Sequence, residues 1–194
     1  MNVSLPQVSR KAKNCRLCEE HLPQEPKPIF LAKSSARLLI VGQAPGRRVH
    51  ETGIPWNDPS GDRLRDWLGM GRAAFYDTRR VAIVPISLCY PGTVGGADLP
   101  PRPECAPLWQ PLFKAALSRI RLTLLVGSYA QTYHLQKRRQ HTLAKTVRAF
   151  RHYLPEYFPL PHPSWRNSAW LNGNPWFARE VLPELRRCIM RALA

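Results

Sequence analysis

Short apolar runs alternate with stretches of helical period along this sequence. Runs bounded by Gly or Pro are typical of strands buried on both faces, and they lie at 37–42, 80–86, 122–127 and 158–160. Elsewhere apolar residues recur three or four positions apart, which predicts helices near 60–68, 107–119, 128–136, 142–152 and 175–192. The last of these helices presents one apolar face, made by Phe177, Val181, Leu185 and Ile189.

Strands that alternate with helices favour a parallel sheet covered on both faces. The predicted fold class is therefore α/β, a single-domain three-layer α/β/α sandwich with a central, mainly parallel four-stranded sheet. A chain of 194 residues with 44% apolar residues can bury one core and is short for two. We expect one domain, 1–194, whose polar N-terminal segment, 1–35, is held in place by the cysteines described below.

The charge of the chain indicates a polyanionic partner. Lys and Arg number 29 against 13 Asp and Glu, a formal net charge of +16. The basic residues are spread along the chain and not confined to a tail, which predicts a basic face on a folded body. Neutralisation of phosphates is the usual use of such an excess, so we expect a nucleic-acid partner.

The sequence has no stretch near the roughly 20 apolar residues that a bilayer requires. Its first 15 residues also lack the apolar core of a signal peptide. We therefore expect a cytoplasmic monomer that does not bind membranes, with its five cysteines reduced.

Four cysteines have a spacing that indicates a metal site. Two form a Cys-x-x-Cys pair, and the other two bracket a loop rich in Pro and Gly; they are Cys15, Cys18, Cys89 and Cys105. Four thiolates suit either tetrahedral zinc or an iron–sulfur cluster, and the alternative is a set of unrelated buried thiols. The fifth, Cys188, lies on the last predicted helix and is interpreted as a small core residue.

Two motifs follow predicted strands, at the sheet edge where α/β proteins bind ligands. After the first strand comes a tight loop, Gly42-Gln-Ala-Pro-Gly46, and after the fourth comes His162-Pro-Ser-Trp-Arg-Asn167. A separate basic run at 137–141, which contains Arg138 and Arg139, predicts a helix end that faces DNA.

In this order the motifs resemble those of the uracil-DNA glycosylase superfamily, most nearly its iron–sulfur branch, family four. That branch reads Gly-Glu-Ala-Pro-Gly, then Gly-Arg-Pro-Phe, then Ser/Ala-Gly-x-Leu-Leu, and later His-Pro-Ser. The similar segments here are Gly42–Gly46, Gly53–Trp56, Ser60–Leu64 and His162–Ser164, and the four cysteines match in order. The resemblance runs from Cys15 to Asn167.

The resemblance implies a function and a cofactor. The chain would be a monofunctional DNA glycosylase of uracil-DNA glycosylase-like fold, acting in base excision repair. It would flip uracil, or another deaminated or modified base, out of DNA and hydrolyse the N-glycosidic bond to leave an abasic site. The four cysteines would hold a structural [4Fe–4S] cluster, with zinc as the alternative.

The resemblance also implies roles for individual residues. His162 would donate to a base carbonyl as negative charge develops there. Gln43 would help to position the attacking water, and the base pocket would be lined by Gly42, Ala44, Pro45 and Gly46. Trp56 would stack on the flipped base, while Ser164 and Gly46 contact phosphates. Trp165 and Arg166 would form the wedge that replaces the extruded nucleotide.

Three departures from the family pattern bear on chemistry and substrate. Gln43 replaces the family's Glu, and Val49 and His50 stand where an acidic pair is usual. The nearby carboxylates that can substitute are Glu51 and Asp58. Pro85 replaces the Asn that reads the base edge, so Ser87 or Asn57 could supply that contact, and Gln43 could read a different edge. Uracil, hypoxanthine, xanthine and alkylated bases all remain candidate substrates.

A second hypothesis from the sequence is a non-catalytic protein on the same fold that binds damaged or single-stranded DNA. The argument for this hypothesis is the absence of the carboxylate that the family has at the position of Gln43. Metal-dependent hydrolysis at the cysteines is disfavoured, because four thiolates close a coordination shell and leave no position for water.

Overall fold

A fully parallel four-stranded sheet forms the centre of the molecule. The computed structural model describes residues 4–194, so residues 1–3 of the predicted domain lie outside the described residues. The strands are β1 (Leu38–Val41), β2 (Val81–Ile83), β3 (Thr93–Val94), β4 (Ala97–Asp98), β5 (Leu122–Val126) and β6 (Tyr157–Leu160). The sheet has the order β2-β1-β5-β6, and β3 and β4 form a separate antiparallel hairpin.

Helices follow or separate these strands. They are α1 (Leu5–Lys13), α2 (Arg47–Thr52), α3 (Pro59–Leu68), α4 (Arg72–Phe75), α5 (Cys105–Ala116), α6 (Ser128–Leu135), α7 (Leu143–Arg148), α8 (Ser168–Gly173) and α9 (Leu182–Leu193). A short π-helical segment, Phe177–Val181, leads into α9. Short 3₁₀ turns complete the connections, among them Phe150–Tyr153 before β6 and Trp165–Asn167 after it.

Side chains alternate across β1 and so divide the core into two layers. Leu39 and Val41 face one cluster, which contains residues of α1, α5 and α6. Leu38 and Ile40 face the other, which contains residues of α3 and α9. All four strands of the sheet are buried along their length, as expected for a parallel sheet covered on both faces. The three-layer α/β/α architecture is therefore confirmed.

The predicted apolar face of the last helix is also confirmed, because Phe177, Val181, Leu185 and Ile189 all lie in the second cluster. The helix itself begins with π-helical hydrogen bonding over Phe177–Val181 and becomes α-helical only at Leu182. Cys188 is partly buried against the same cluster, consistent with its interpretation as a core residue.

Several elements differ from the sequence prediction. The second strand ends at Ile83 and not at 86, although Val84 and Ile86 still donate backbone hydrogen bonds to Ile40 and Gly42. The polar lead contains α1, which buries only Leu5, Val8 and Ala12. The predicted loop at 89–107 contains the β3–β4 hairpin. The short helices α2, α4 and α8 were not predicted, since four to six residues carry little periodicity.

Among the helices of residues 4–194, none combines the length and apolar character needed to cross a bilayer.

We predict that His134 makes folding stability depend on pH. This α6 side chain is partly buried beside Tyr133 and Tyr157, and its Nε2 has no hydrogen-bond partner within residues 4–194. Burial, helped by Lys114 and opposed by Glu156, lowers its pKa from 6.5 to about 4. Between those values the unfolded chain binds a proton that the folded chain does not. His134 therefore contributes stability above pH 6.5 that is lost as the pH falls to about 4, on the order of 3 kcal/mol.

Urea unfolding of wild type and His134→Phe at pH 7.0, 5.5 and 4.5 measures this effect. The variant should lose less stability than wild type on acidification. His152→Phe, which replaces an exposed histidine, is the matched control and should behave as wild type. An unchanged pH dependence in His134→Phe would contradict the assignment.

Candidate active site

A cavity of about 460 Å³ opens at the carboxyl edge of the parallel sheet. Three segments meet there: the loop after β1, the loop after β6, and the β3–β4 hairpin. Its lining contains Gly42, Gln43, Ala44, Pro45 and Gly46 of the first motif, His162, Ser164, Trp165, Arg166 and Asn167 of the second, and also Trp56. The structure thus brings together residues that are more than 100 positions apart in the chain.

Three hydrogen bonds, one to the ring and two to the backbone of its loop, position His162. Nδ1 of His162 accepts a hydrogen bond from the backbone N–H of Ser164 at 3.3 Å. The side-chain amide of Asn167 donates to the carbonyl of His162 at 2.7 Å, and Arg63 donates to the carbonyl of Ser164 at 3.1 Å. Because Nδ1 is an acceptor, the neutral ring carries its proton on Nε2 and can donate from that atom.

Burial keeps this histidine neutral. Desolvation lowers the pKa of His162 below 6.5, and the carboxylates of Asp58 and Asp98 act in the opposite direction. A neutral imidazole can still donate a hydrogen bond from its N–H to a group on which negative charge develops.

Trp56 is held against the cavity by close backbone packing. Its φ is +57°, an uncommon value for a residue other than glycine. A Cβ at Gly61 would lie 1.8 Å from the carbonyl oxygen of Trp56, and a Cβ at Gly42 would lie 2.7 Å from its ring. The ring centroid is 5.6 Å from that of His162, with the planes inclined by 32°. Trp56 is only partly buried, so its ring forms part of the cavity wall.

The loop after β1 is fixed by its backbone. The carbonyls of Gly42 and Gln43 accept hydrogen bonds from the N–H groups of Ile86 and Ser87 at 2.9 and 3.0 Å. The loop therefore continues the parallel pairing of β1 beyond the strand, with the Gln43 residue in the cavity lining.

Two residues predicted to contact the base do not line the cavity. Asn57 accepts a hydrogen bond from Arg72 at 3.1 Å. Ser87 is 1% exposed and lines the pocket that contains the cysteines. Pro85 does line the cavity, and its carbonyl accepts a hydrogen bond from buried Gln110 at 2.8 Å.

The basic run is also distant from the cavity. Arg138 lies 3.9 Å from Glu156, which immediately precedes β6 and so marks the amino-terminal edge of the sheet. Arg139 is exposed beside it. The structure places both arginines at the opposite edge of the sheet from the cavity, and their DNA contact stays a prediction.

Trp165 and Arg166 lie at the mouth of the cavity. Trp165 is 73% exposed, an unusual position for a large aromatic side chain. The Arg166 guanidinium lies 5.5 Å from the Trp165 ring centroid and donates a hydrogen bond to the carbonyl of Gly96, at the tip of the β3–β4 hairpin. Trp165 and Arg166 thus project from the molecule, and the hydrogen bond of Arg166 to Gly96 attaches them to the hairpin.

The sequence prediction missed Asp98, which lines the cavity from the β3–β4 hairpin. Its Oδ2 lies 3.3 Å from the position that a Cβ on Gly46 would occupy. The signal for this hairpin was present: Gly95 and Gly96 stand between Val94 and Ala97 as a two-residue Gly-Gly turn. Asp58 also lines the cavity, whereas Glu51 does not.

The four cysteines surround one small pocket. Cys15, Cys18, Cys89 and Cys105 line it together with Pro26, Pro28 and Trp109. Burial raises the pKa of Cys89 to about 12 and that of Cys105 to about 11. Within residues 4–194, no three His, Cys, Asp or Glu side chains are arranged to hold a single metal ion. The four thiols nevertheless line the same pocket.

We predict that Gly61→Ala displaces Trp56 and destabilises the fold. The added Cβ would overlap the Trp56 carbonyl, and overpacking of this kind costs about 1–3 kcal/mol or more. Guanidinium unfolding followed by tryptophan fluorescence measures the change. Gly173→Ala is the matched control, because a Cβ there meets nothing within 4 Å. Equal stability of the two variants would show that Trp56 is not fixed by this contact.

Comparison with known proteins agrees with the geometry. The chain has 14% sequence identity to a candidate uracil DNA glycosylase from Methanosarcina acetivorans whose structure was determined in solution by NMR. That match covers 83% of this chain and 98% of the other, with a TM-score of 0.48. A family model, described as the uracil DNA glycosylase superfamily, matches residues 28–186. The chain belongs to the uracil DNA glycosylase superfamily.

Proposed function

We propose that this protein is a monofunctional DNA glycosylase that extrudes a damaged base and hydrolyses its N-glycosidic bond. The observation that carries the proposal is the His162 ring in the cavity, whose Nδ1 accepts from Ser164 and whose Nε2 is thereby left as a donor. Family membership supports the same class of reaction.

In the proposed reaction the flipped base stacks on Trp56. Aromatic stacking of this kind is worth about 1–3 kcal/mol per base. As the bond from C1′ to the base breaks, its electron pair moves to the base, and His162 Nε2–H donates to the carbonyl oxygen where the negative charge gathers. Water adds to C1′, which leaves an abasic site and a free base. The motif match places no lysine as a Schiff-base nucleophile, so the proposal includes no strand cleavage.

DNA binding in this proposal has a general and a local part. The net charge of +16 attracts the phosphate backbone. At the cavity mouth, Ser164 and Gly46 contact phosphates, and the exposed Trp165 with Arg166 enters the space that the nucleotide vacates. Flipping costs a few kcal/mol, and this wedge offsets part of the cost.

The substrate class we propose is a deaminated or otherwise modified base, with uracil as one member. Pro85 offers no side-chain donor or acceptor, and its carbonyl already accepts from Gln110. The side-chain amide available from the first motif is that of Gln43. An amide both donates and accepts, so it can read more than one arrangement of base-edge groups.

A second candidate is a non-catalytic protein that binds damaged or single-stranded DNA. Gln43 favours it, because an amide cannot take a proton from water as the family's carboxylate can. It predicts selective binding without release of the base.

We also propose that Cys15, Cys18, Cys89 and Cys105 hold a [4Fe–4S] cluster. Zinc binds each thiolate at about 2.3 Å and so draws four sulfurs close around one ion. A cubane cluster binds each of four thiolates through a different iron, and the four cysteines that line this pocket supply that number of ligands. When bound, the cluster clamps the N-terminal segment to the loop after β2. Zinc is the alternative.

We predict that His162→Ala strongly slows base release. Wild type is incubated with labelled oligonucleotides that carry uracil, hypoxanthine, xanthine or an alkylated base, single-stranded and in mismatched duplexes, and alkali reveals abasic sites. Release from at least one base is expected. Loss of a single donor to a developing oxyanion lowers the rate about 10²–10³-fold. His152→Ala, an exposed histidine, should retain the wild-type rate. Tight, selective binding by wild type without any release would favour the second candidate.

We predict that Cys89→Ser lowers both iron content and stability. Anaerobically purified wild type should contain iron and inorganic sulfide and absorb visible light, whereas the variant should lose the colour and unfold at a lower temperature. Cys188→Ser, outside the pocket, should keep both properties. Stoichiometric zinc in a colourless wild-type protein would show that the cysteines hold zinc and not a cluster. A Cys89→Ser protein with unchanged metal content and Tm would contradict a site at these cysteines.

A further inference from the structure

The β3–β4 hairpin carries a carboxylate over the reaction cavity. Asp98 ends β4 and pairs in register with Thr93 of β3. Thr93 Oγ1 donates to Asp98 Oδ1 at 3.2 Å, and it is also hydrogen-bonded to the hydroxyl of buried Tyr90. These contacts occupy Oδ1 and leave Oδ2 toward Gly46, in the cavity that His162 also lines.

The hairpin is tied to the rest of the molecule on both sides. Arg166, from the loop after β6, donates to the carbonyl of Gly96 at the hairpin tip. At the root, the N–H of Leu99 donates to the carbonyl of Gly92 at 2.8 Å, and Gly92 approaches Pro23 so closely that a Cβ there would lie 3.2 Å from its ring. Asp98 is therefore held over the cavity by contacts at both ends of the hairpin.

The other nearby carboxylates are less suited to act on water. Asp58 Oδ1 accepts the backbone N–H of Gly61 at 2.7 Å and caps α3. Glu51 is exposed near the end of α2 and does not line the cavity. Gln43, at the position of the family's carboxylate, has no basic oxygen.

We propose that Asp98 is a catalytic residue that replaces the missing carboxylate of the first motif; this rests on the proposed glycosylase function. The bond from C1′ to the base breaks, and the electron pair leaves with the base, whose carbonyl receives the hydrogen bond from His162. Asp98 Oδ2 orients the water and stabilises the cationic sugar. As the water oxygen bonds to C1′, its proton passes to Asp98, which later releases it to solvent, and the departing base takes a proton from solvent.

The test is Asp98→Asn, in which the amide oxygen can still accept from Thr93 and so preserve the hairpin. Single-turnover base release should fall by about 10²-fold or more, the usual contribution of a general base. DNA affinity and Tm should remain at wild-type values. Glu51→Gln removes a nearby charge outside the cavity and should leave the rate unchanged.

A binding measurement tests the same role without turnover. Duplexes that carry a cationic pyrrolidine or a neutral tetrahydrofuran in place of the nucleotide differ mainly by the charge at the sugar. Wild type should prefer the cation by about tenfold, as expected for an opposite charge a few ångströms away near a protein surface, and Asp98→Asn should lose the preference.

The outcomes separate the two proposals. Release of a base by wild type, lost in His162→Ala but kept at the wild-type rate in Asp98→Asn, overturns the role of Asp98 and leaves the glycosylase standing. A wild-type protein that releases no base overturns the glycosylase. In that case the pyrrolidine preference still decides whether Asp98 faces the sugar, since an equal preference in wild type and Asp98→Asn would overturn the placement.

Discussion

Parallel pairing of β1 with its two neighbours is the constraint on which the cavity depends. Since the strands run in one direction, the loops that follow β1, β2 and β6 all emerge at one edge. The pairing extends past the strand end, where Ile86 and Ser87 donate to the carbonyls of Gly42 and Gln43. On the other side, Gly127 donates to the carbonyl of Leu160 at 2.9 Å, directly before the loop of His162. Backbone hydrogen bonds thus fix where the two loops of the cavity begin, and side-chain contacts such as that of Asn167 with the His162 carbonyl then position the loop residues.

The electrostatics of the cavity oppose those of the whole molecule. The chain carries a net charge of +16, yet the carboxylates at the cavity, Asp58 and Asp98, both act on His162. A basic exterior attracts phosphates, while a local negative charge favours a cationic sugar in the reaction that we propose. Burial lowers the pKa of His162 and so favours its neutral form. In that form the histidine can donate a hydrogen bond without repelling a developing cation nearby.

Much of the fold was predictable because its signals are local. Continuous apolar runs predict buried strands, and the four-residue spacing from Phe177 to Ile189 predicts the face that packs on the sheet. The first helix escaped prediction because three apolar residues interspersed with polar and basic ones make a weak pattern. The β3–β4 hairpin escaped because its strands have two residues each and are largely exposed, so burial leaves no periodicity in their sequence.

Prediction of the site was less complete, because a motif gives the neighbours of a residue in sequence but not the side of the strand on which it lies. His162, Trp56 and Gln43 line the cavity, as the motif match indicates. Ser87 and Asn57 were chosen for their hydrogen-bonding groups, but Ser87 lies at the cysteine pocket and Asn57 accepts from Arg72. Arg138 lies near Glu156 at the far edge of the sheet, and this position follows from the tertiary fold, which no local sequence pattern encodes.

The loop between Cys89 and Cys105 connects the cysteine pocket to the cavity. Its ends lie at the cysteine pocket, and its middle forms the hairpin that reaches the cavity. Order in the hairpin therefore depends on how firmly the loop ends are held. The chain also places Pro85 and Ser87 immediately before this loop, so one segment passes from the cavity wall to the cysteines within a few residues. A group bound by the cysteines would then affect the reaction only by fixing the position of this segment, and its role would be structural.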